Sequence, residues 1–276
     1  MPFFAKDNAR IYYEDRGRGE PVIAVHGLIG NTRYWKPLTD LIGERCRFIS
    51  MDMRGHGYTE VNGEPHGYDV QTVGRDIVAL ADHLAIPRFH LLTHSTGGFA
   101  GVRHAMGDCS RFKSLILTNT ASATSVVQGD ERTIREYHDR FAAWFQRFDW
   151  DQIMGVLRVT PGPFFRGVVE SPSSGEMLAL AREMVRIGNR DLIAAFIRSF
   201  YTDPDPRVEG LRRISCPVLV VTGEKDDLML EPSRLMAREI PGARILEYEG
   251  VGHMSALEAP DRLARDVMDF IAAHSG

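Results

Sequence analysis

At 276 residues, 43% hydrophobic and 25% charged, the chain has the composition of an ordinary soluble globular protein, long enough to bury a substantial core without covalent staples. A net charge of −4 with both signs interspersed speaks against nucleic acid or an anionic membrane surface as the main partner. Three widely spaced cysteines, Cys46, Cys109 and Cys216, give neither a disulfide framework nor a metal site, and the charged opening MPFFAKDNARIYYEDRG has no apolar run for a signal peptide or an inserted anchor; a cytoplasmic location is the default expectation.

In chain order, 10–14 (RIYYE) and 22–25 (VIAV) read as strands separated by the turn-rich RGRGEP. A helix over about 34–42 leads to a strand at 47–51 (RFISM). Over 69–84, Val70, Val73, Ile77, Leu80, Ala81 and Leu84 fall at helical spacing, and Pro87 ends that helix. A strand at 89–92, a helix over about 96–106 and a strand at 115–118 follow. Strands at 217–222 (PVLVVT) and 243–248 (ARILEY) precede helices around 231–239 and 260–273. Short, continuous apolar strands alternating with helices predict an α/β fold: a mostly parallel twisted sheet of about eight strands, covered by helices on both faces.

Residues 121–213 break this rhythm. They hold helical stretches rich in aromatics, such as EYHDRFAAWFQRFDW, and a linker TDPDPR that leads back toward the sheet. The expected organisation is therefore a core in two parts, 1–120 and 214–276, with a helical lid over 121–213.

The stretch LLTHSTGGFAG (91–101) nearly spells the G-x-S-x-G of a nucleophile elbow, with Thr93 where the first glycine belongs. Its setting is right for an elbow: a strand, a sharp turn at Ser95, and a helix opening on Gly97-Gly98. The ordinary alternative is a serine capping a glycine-opened helix. A nucleophilic serine needs a base and an acid that orients the base. Among ten histidines, His253 lies in the glycine-rich loop after the last strand, and a parallel sheet brings that loop to the edge that carries Ser95. The acid falls in GEKDD (223–227), directly after PVLVVT at the same edge. Ser95, Asp226, His253 is the chain order of this class of triad. One donor for a developing oxyanion is the Thr96 amide, which follows the nucleophile.

With these motifs placed, the sequence resembles the α/β-hydrolase family, in its group of serine esterases, enol-lactonases and haloperoxidase-like perhydrolases. The resemblance rests on VHGLIGNTRYW, DMRGHG, the elbow, GEKDD and GVGHMSALEAPDRL. It implies Asp226 as the acid, with Asp227 as the alternative, and the Leu28 amide as the second oxyanion donor. It also implies scaffold roles for His26 and His56, and a His94 turned away from the nucleophile into packing.

A serine at the elbow disfavours the epoxide and haloalkane chemistry that family members perform with aspartate. What remains is acyl transfer by attack on an ester, lactone, thioester or amide carbonyl; the expected substrate is a carboxylic ester or lactone of a small to medium apolar or aromatic molecule, cleaved through an acyl-enzyme on Ser95. Trp144, Phe148, Phe164, Phe165 and Phe200 are the candidate substrate-contacting aromatics, and Arg158 or Arg166 the candidate carboxylate partners. No glycine pattern fits a nucleotide, so no cofactor and no metal is implied. The expected partner is a small molecule, with monomer and homodimer both open. A cofactor-independent dioxygenase, a C–C bond hydrolase and a hydrolase-like small-molecule receptor are the alternatives on the same fold.

Overall fold

The apolar runs become strands side by side in one sheet of the computed structural model, which describes residues 2–43, 45–63 and 67–275. The strands are β1 (Phe3–Lys6), β2 (Ala9–Arg16), β3 (Pro21–Val25), β4 (Arg47–Met51), β5 (Glu60–Val61), β6 (Phe89–His94), β7 (Phe112–Thr118), β8 (Val218–Gly223) and β9 (Arg244–Tyr248). They lie in the order β1-β2-β4-β3-β6-β7-β8-β9, with β5 paired to β2. From β4 to β9 all pairings are parallel; β2 runs antiparallel to β1, β4 and β5. β1 and β5, too short for a periodic signal, are additions to the strands read from the sequence.

The helices are α1 (Lys36–Ile42), α2 (Val70–His83), α3 (Thr96–Ala105), α4 (Glu131–Arg147), α5 (Trp150–Val159), α6 (Gly162–Glu170), α7 (Ser174–Ile187), α8 (Arg190–Phe200), α9 (Val208–Leu211), α10 (Leu230–Glu239), α11 (Ser255–Glu258) and α12 (Pro260–Ala273). Side-chain alternation along the strands feeds two cores. Ile23, Val25, Leu91, Leu115 and Val220 pack with Val73, Ile77 and Phe99 of α2 and α3 on one face. Val22, Ala24, Leu92, Ile116 and Val221 pack with Leu38 of α1 and Leu263 and Phe270 of α12 on the other. Burial on both faces is why these strands read as unbroken apolar runs.

Between β7 and β8 the chain forms α4–α8; α4, α5 and α8 are joined through Phe145, Ile153, Ile193 and Ile197, and α6 and α7 pack into the second core through Phe165, Val168 and Ala181. Asp130, Asp149 and Asn189 cap α4, α5 and α8 with side-chain oxygens that accept first-turn N–H groups. The return to the core is pinned by buried Arg103, which donates to Ser122 O at 2.5 Å, Asp203 Oδ2 at 3.0 Å and Asp205 O at 2.8 Å. Among the described residues no helix is long and apolar enough to cross a membrane.

The sheet order sets the position of the site. β3 is followed in sequence by its neighbour on one side, β4, and flanked on the other by β6. The loops leaving β3 and β6 therefore diverge and open a crevice at their carboxyl ends.

Candidate active site

Ser95 stands alone between the end of β6 and the start of α3 with φ 48° and ψ −114°, a backbone region that costs a non-glycine residue about 1–3 kcal/mol. Hydrogen bonds hold it there. Its N–H donates to Thr118 O at 3.0 Å, and its carbonyl accepts from Gly98 N at 2.8 Å, Phe99 N at 3.1 Å and the Thr120 hydroxyl at 2.6 Å. A Cβ on Gly97 would lie 2.6 Å from Val25 O, and one on Gly98 2.4 Å from Thr120 Oγ1. Only glycine lets α3 start this close to β3 and β7.

Thr93 fits without breaking the turn. Its hydroxyl donates to Ile116 O at 3.1 Å, and its methyl lies 3.2 Å from where a Cβ of Gly101 would be. The glycine missing from the strand is balanced by one in the facing helix.

β8 and β9 bring the other two residues to the same edge. The His253 Nδ1–H donates to Asp226 Oδ2 at 2.8 Å; because the carboxylate only accepts, this fixes the tautomer and leaves Nε2 as a free base. Asp226 also accepts from Asn119 Nδ2 at 2.9 Å and Met229 N at 3.3 Å. Burial pushes the Asp226 carboxyl up, but His253 and these donors outweigh it and hold the group below the usual carboxylate range. Asp227 is exposed and ion-paired to Arg166 at 3.3 Å, outside the cluster. The Ser95 hydroxyl makes no hydrogen bond among the described residues.

Two positions were not read from the sequence. Asn119, at positive φ just past β7, donates to both Asp226 and Gly252 O, the latter at 3.0 Å, and so links the loops carrying the acid and the histidine. Its place at the carboxyl end of a parallel strand was the available signal. Glu258 accepts from Gly252 N at 2.6 Å and Met254 N at 2.8 Å, holding the backbone on either side of His253.

His94 corrects an expectation. Its ring lies in the cavity wall instead of pointing away, stacked on Tyr34 at 4.4 Å and 4.9 Å from His253. Gly27 and the elbow crowd that wall, since a Cβ on Gly27 would be 2.9 Å from His94 Cδ2. Burial, then the nearby His253 and His26, keep His94 neutral by lowering its pKa well below the ordinary histidine value. His26 accepts Met53 N–H at 3.1 Å on Nε2 and donates from Nδ1 to Gly27 O at 2.7 Å. His56 donates to Arg54 O at 3.0 Å. Cys46 and Cys216 are buried, whereas Cys109 is half-buried.

Ser95, His94 and His253 open into a cavity of about 490 Å³ roofed by α4–α7. Trp144, Phe164 and Phe165 line it; Phe164 meets His253 edge-on at 4.7 Å. Phe148 and Phe200 do not line it. Phe148 packs on Trp144 and under Arg147, and Phe200 is buried against Phe196 and Tyr201, because both point to the helix-packing side of their helices. No Lys, Arg, Asp or Glu is among the described lining residues; Arg166 instead pairs with Glu170 at 2.9 Å. No group of three or more potential metal ligands is gathered among the described residues.

The two oxyanion candidates stand differently. The Thr96 N–H, at the first position of α3, has no partner among the described residues, as expected of a helix start. The Leu28 N–H donates to the Thr96 side-chain oxygen at 3.0 Å, so the structure gives this donor an internal partner.

A serine in a strained strand–helix turn, a His–Asp pair and a crevice at the switch point of a parallel sheet define a recognisable class. Residues 22–266 match the model of the alpha/beta hydrolase family, and the chain belongs to that family. It is 29% identical over 259 residues to the dihydrolipoyllysine-residue acetyltransferase component of the acetoin cleaving system of Pseudomonas putida, covering 93% of this chain but only 64% of that one. It is 26% identical over 286 residues to a non-heme haloperoxidase of Rhodococcus erythropolis, covering 98% and 99% of the two chains. The enol-lactonase of Burkholderia xenovorans LB400 superposes with a TM-score of 0.81 at 24% identity, over 98% of this chain and all of the other.

Proposed function

We propose that the protein is a serine hydrolase that cleaves an uncharged carboxylic ester or lactone with an apolar or aromatic acyl part. The observation that carries this reading is the convergence of a strained Ser95 and the His253–Asp226 pair on one cavity. In this reading His253 Nε2 takes the Ser95 proton as Oγ attacks the carbonyl carbon, and Asp226 stabilises the imidazolium. The protonated His253 then returns its proton to the leaving alkoxide, leaving an acyl-enzyme on Ser95. A water deprotonated by the same nitrogen releases the acid and restores Ser95.

The lack of charged side chains in the cavity supports a neutral substrate, since a carboxylate placed there would be stripped of water without a partner. Helices α4–α8 act as the lid that excludes solvent. The test is mass spectrometry after exposure to a fluorophosphonate, beside turnover of a panel of neutral esters and lactones. A single adduct on Ser95 and loss of turnover in Ser95→Ala are expected. Turnover retained by Ser95→Ala would sink the covalent mechanism. Oxygen consumption with a heteroaromatic substrate would move the assignment to a cofactor-independent dioxygenase.

A further inference from the structure

The Leu28 amide and the lid are joined by a chain of two hydroxyls. Leu28 N–H donates to Thr96 Oγ1 at 3.0 Å, and Thr96 Oγ1 lies 2.7 Å from the Tyr201 phenol oxygen. Thr96 is buried and is absent from the cavity wall, whereas Tyr201 lines the same cavity as Ser95.

Each hydroxyl has one proton, and that count sets the direction of the chain. The Thr96 hydroxyl accepts from Leu28, and the only other described group within reach of it is Tyr201. A buried hydroxyl proton without an acceptor costs about 1–3 kcal/mol, so Thr96 donates to Tyr201. The phenol proton then has no acceptor among the described residues, and Tyr201 is one of the residues that line the cavity. The donor offered by Leu28 is thereby passed outward through two hydroxyls, each polarised by the one before it.

We infer that the Tyr201 hydroxyl is a catalytic residue, the side-chain donor that, with the Thr96 N–H, takes the negative charge developing on the substrate's carbonyl oxygen. This assignment rests on Ser95 being the nucleophile. The ring is well held for the task. It stacks on His138 at 5.5 Å and meets Phe99, Phe196 and Phe200 at 6.2, 6.3 and 5.2 Å. It stands just past α8, two residues before Asp203, which Arg103 ties to the core. Burial raises the phenol's pKa, so it remains a donor across the neutral range. A donor that is fixed before reaction contributes most, because it needs no reorganisation as charge develops.

The test uses Tyr201→Phe, which keeps the ring, and Thr96→Val and Thr96→Ser, which remove and restore the relay. kcat and KM are read with a neutral p-nitrophenyl ester, beside the affinity of a trifluoromethyl ketone that forms a tetrahedral adduct on serine. Tyr201→Phe is expected to lower kcat about 10²-fold with KM nearly unchanged, the loss typical of one oxyanion donor. Inhibitor affinity should fall by the same factor as kcat/KM. Thr96→Val should follow it and Thr96→Ser should recover most of the loss, with melting temperatures confirming that all three fold. A Tyr201→Phe enzyme within about threefold of the parent kcat, far below one donor's usual effect, would overturn the assignment. So would a Thr96→Val enzyme as fast as the parent, which would show Leu28 N–H acting directly once freed. If Ser95→Ala keeps turnover, the nucleophile itself is wrong; if Ser95→Ala is inactive while Tyr201→Phe is unaffected, only the Tyr201 role fails.

Discussion

Thr93 and Gly101 show how a turn that usually takes glycine accommodates a larger side chain. The Thr93 hydroxyl satisfies a β7 carbonyl and its methyl fills the space that Gly101 leaves. Gly101→Ala should therefore cost about 1–3 kcal/mol through overpacking, and less in a Thr93→Gly background. A double-mutant cycle by urea unfolding measures that coupling, and strictly additive effects would refute the pairing. At Asp226 the expectation is kinetic. Asp226→Asn retains the shape but releases the His253 tautomer, so kcat should fall about 10⁴-fold, as such a change does in a serine triad, with native melting behaviour. Much of this was legible: strand ends and chain order pointed to Ser95, His253 and the GEKDD segment, and the family resemblance to Asp226 within it. Asn119 was not, because its role lies in which two loops it joins, and one sequence carries no record of that meeting.

Between elements, the contact that matters most is α6 against the His253 loop. A Cβ on Gly167 would lie 2.0 Å from Glu258 Oε2, and one on Gly252 would lie 3.0 Å from Gly167 Cα. Through that contact the helical segment touches the carboxylate that holds Gly252 and Met254 N–H. Glu258→Gln leaves one accepting oxygen for two donors. It should lower kcat more than KM and reduce stability by about 1–3 kcal/mol, the cost of an unsatisfied buried donor. Steady-state kinetics and thermal melts test this, and unchanged kcat would confine Glu258 to packing. Phe148 and Phe200 belong to this scale too. Helical periodicity shows that a helix has an apolar side; it does not say whether that side meets a cavity or another helix.

For the whole molecule, buried neutral histidines link stability to pH. Burial lowers the pKa of His56 to about 4, against about 6.5 in an unfolded chain. As pH falls through that window the unfolded chain takes a proton that the folded one refuses, so stability drops, by about 1.4 kcal/mol per pH unit for this residue. His56→Phe should flatten the stability–pH slope below pH 6.5 by about that amount; parallel slopes would show that His56 is protonated in the fold. The cavity carries a second expectation at this scale. With no charged side chain in its described lining, kcat/KM for a neutral ester should exceed that of its carboxylate-bearing analogue by about 10²-fold or more, since a buried unpaired charge costs several kcal/mol. Equal rates would place a cation within reach of the substrate.

The sequence pointed to the parallel sheet, its helices and the carboxyl edge that carries Ser95, the GEKDD segment and His253. Those follow from local signals: apolar runs, turn residues, glycine pairs and the order of motifs along the chain. Only the tertiary structure decided that His94 faces the cavity, that Phe200 does not, and that Leu28, Thr96 and Tyr201 form one hydrogen-bonded chain. Residues 28 and 201 are far apart in sequence, and their contact arises from how the helical segment docks on the sheet. Docking is set by close packing summed over many side chains, and no local pattern encodes it.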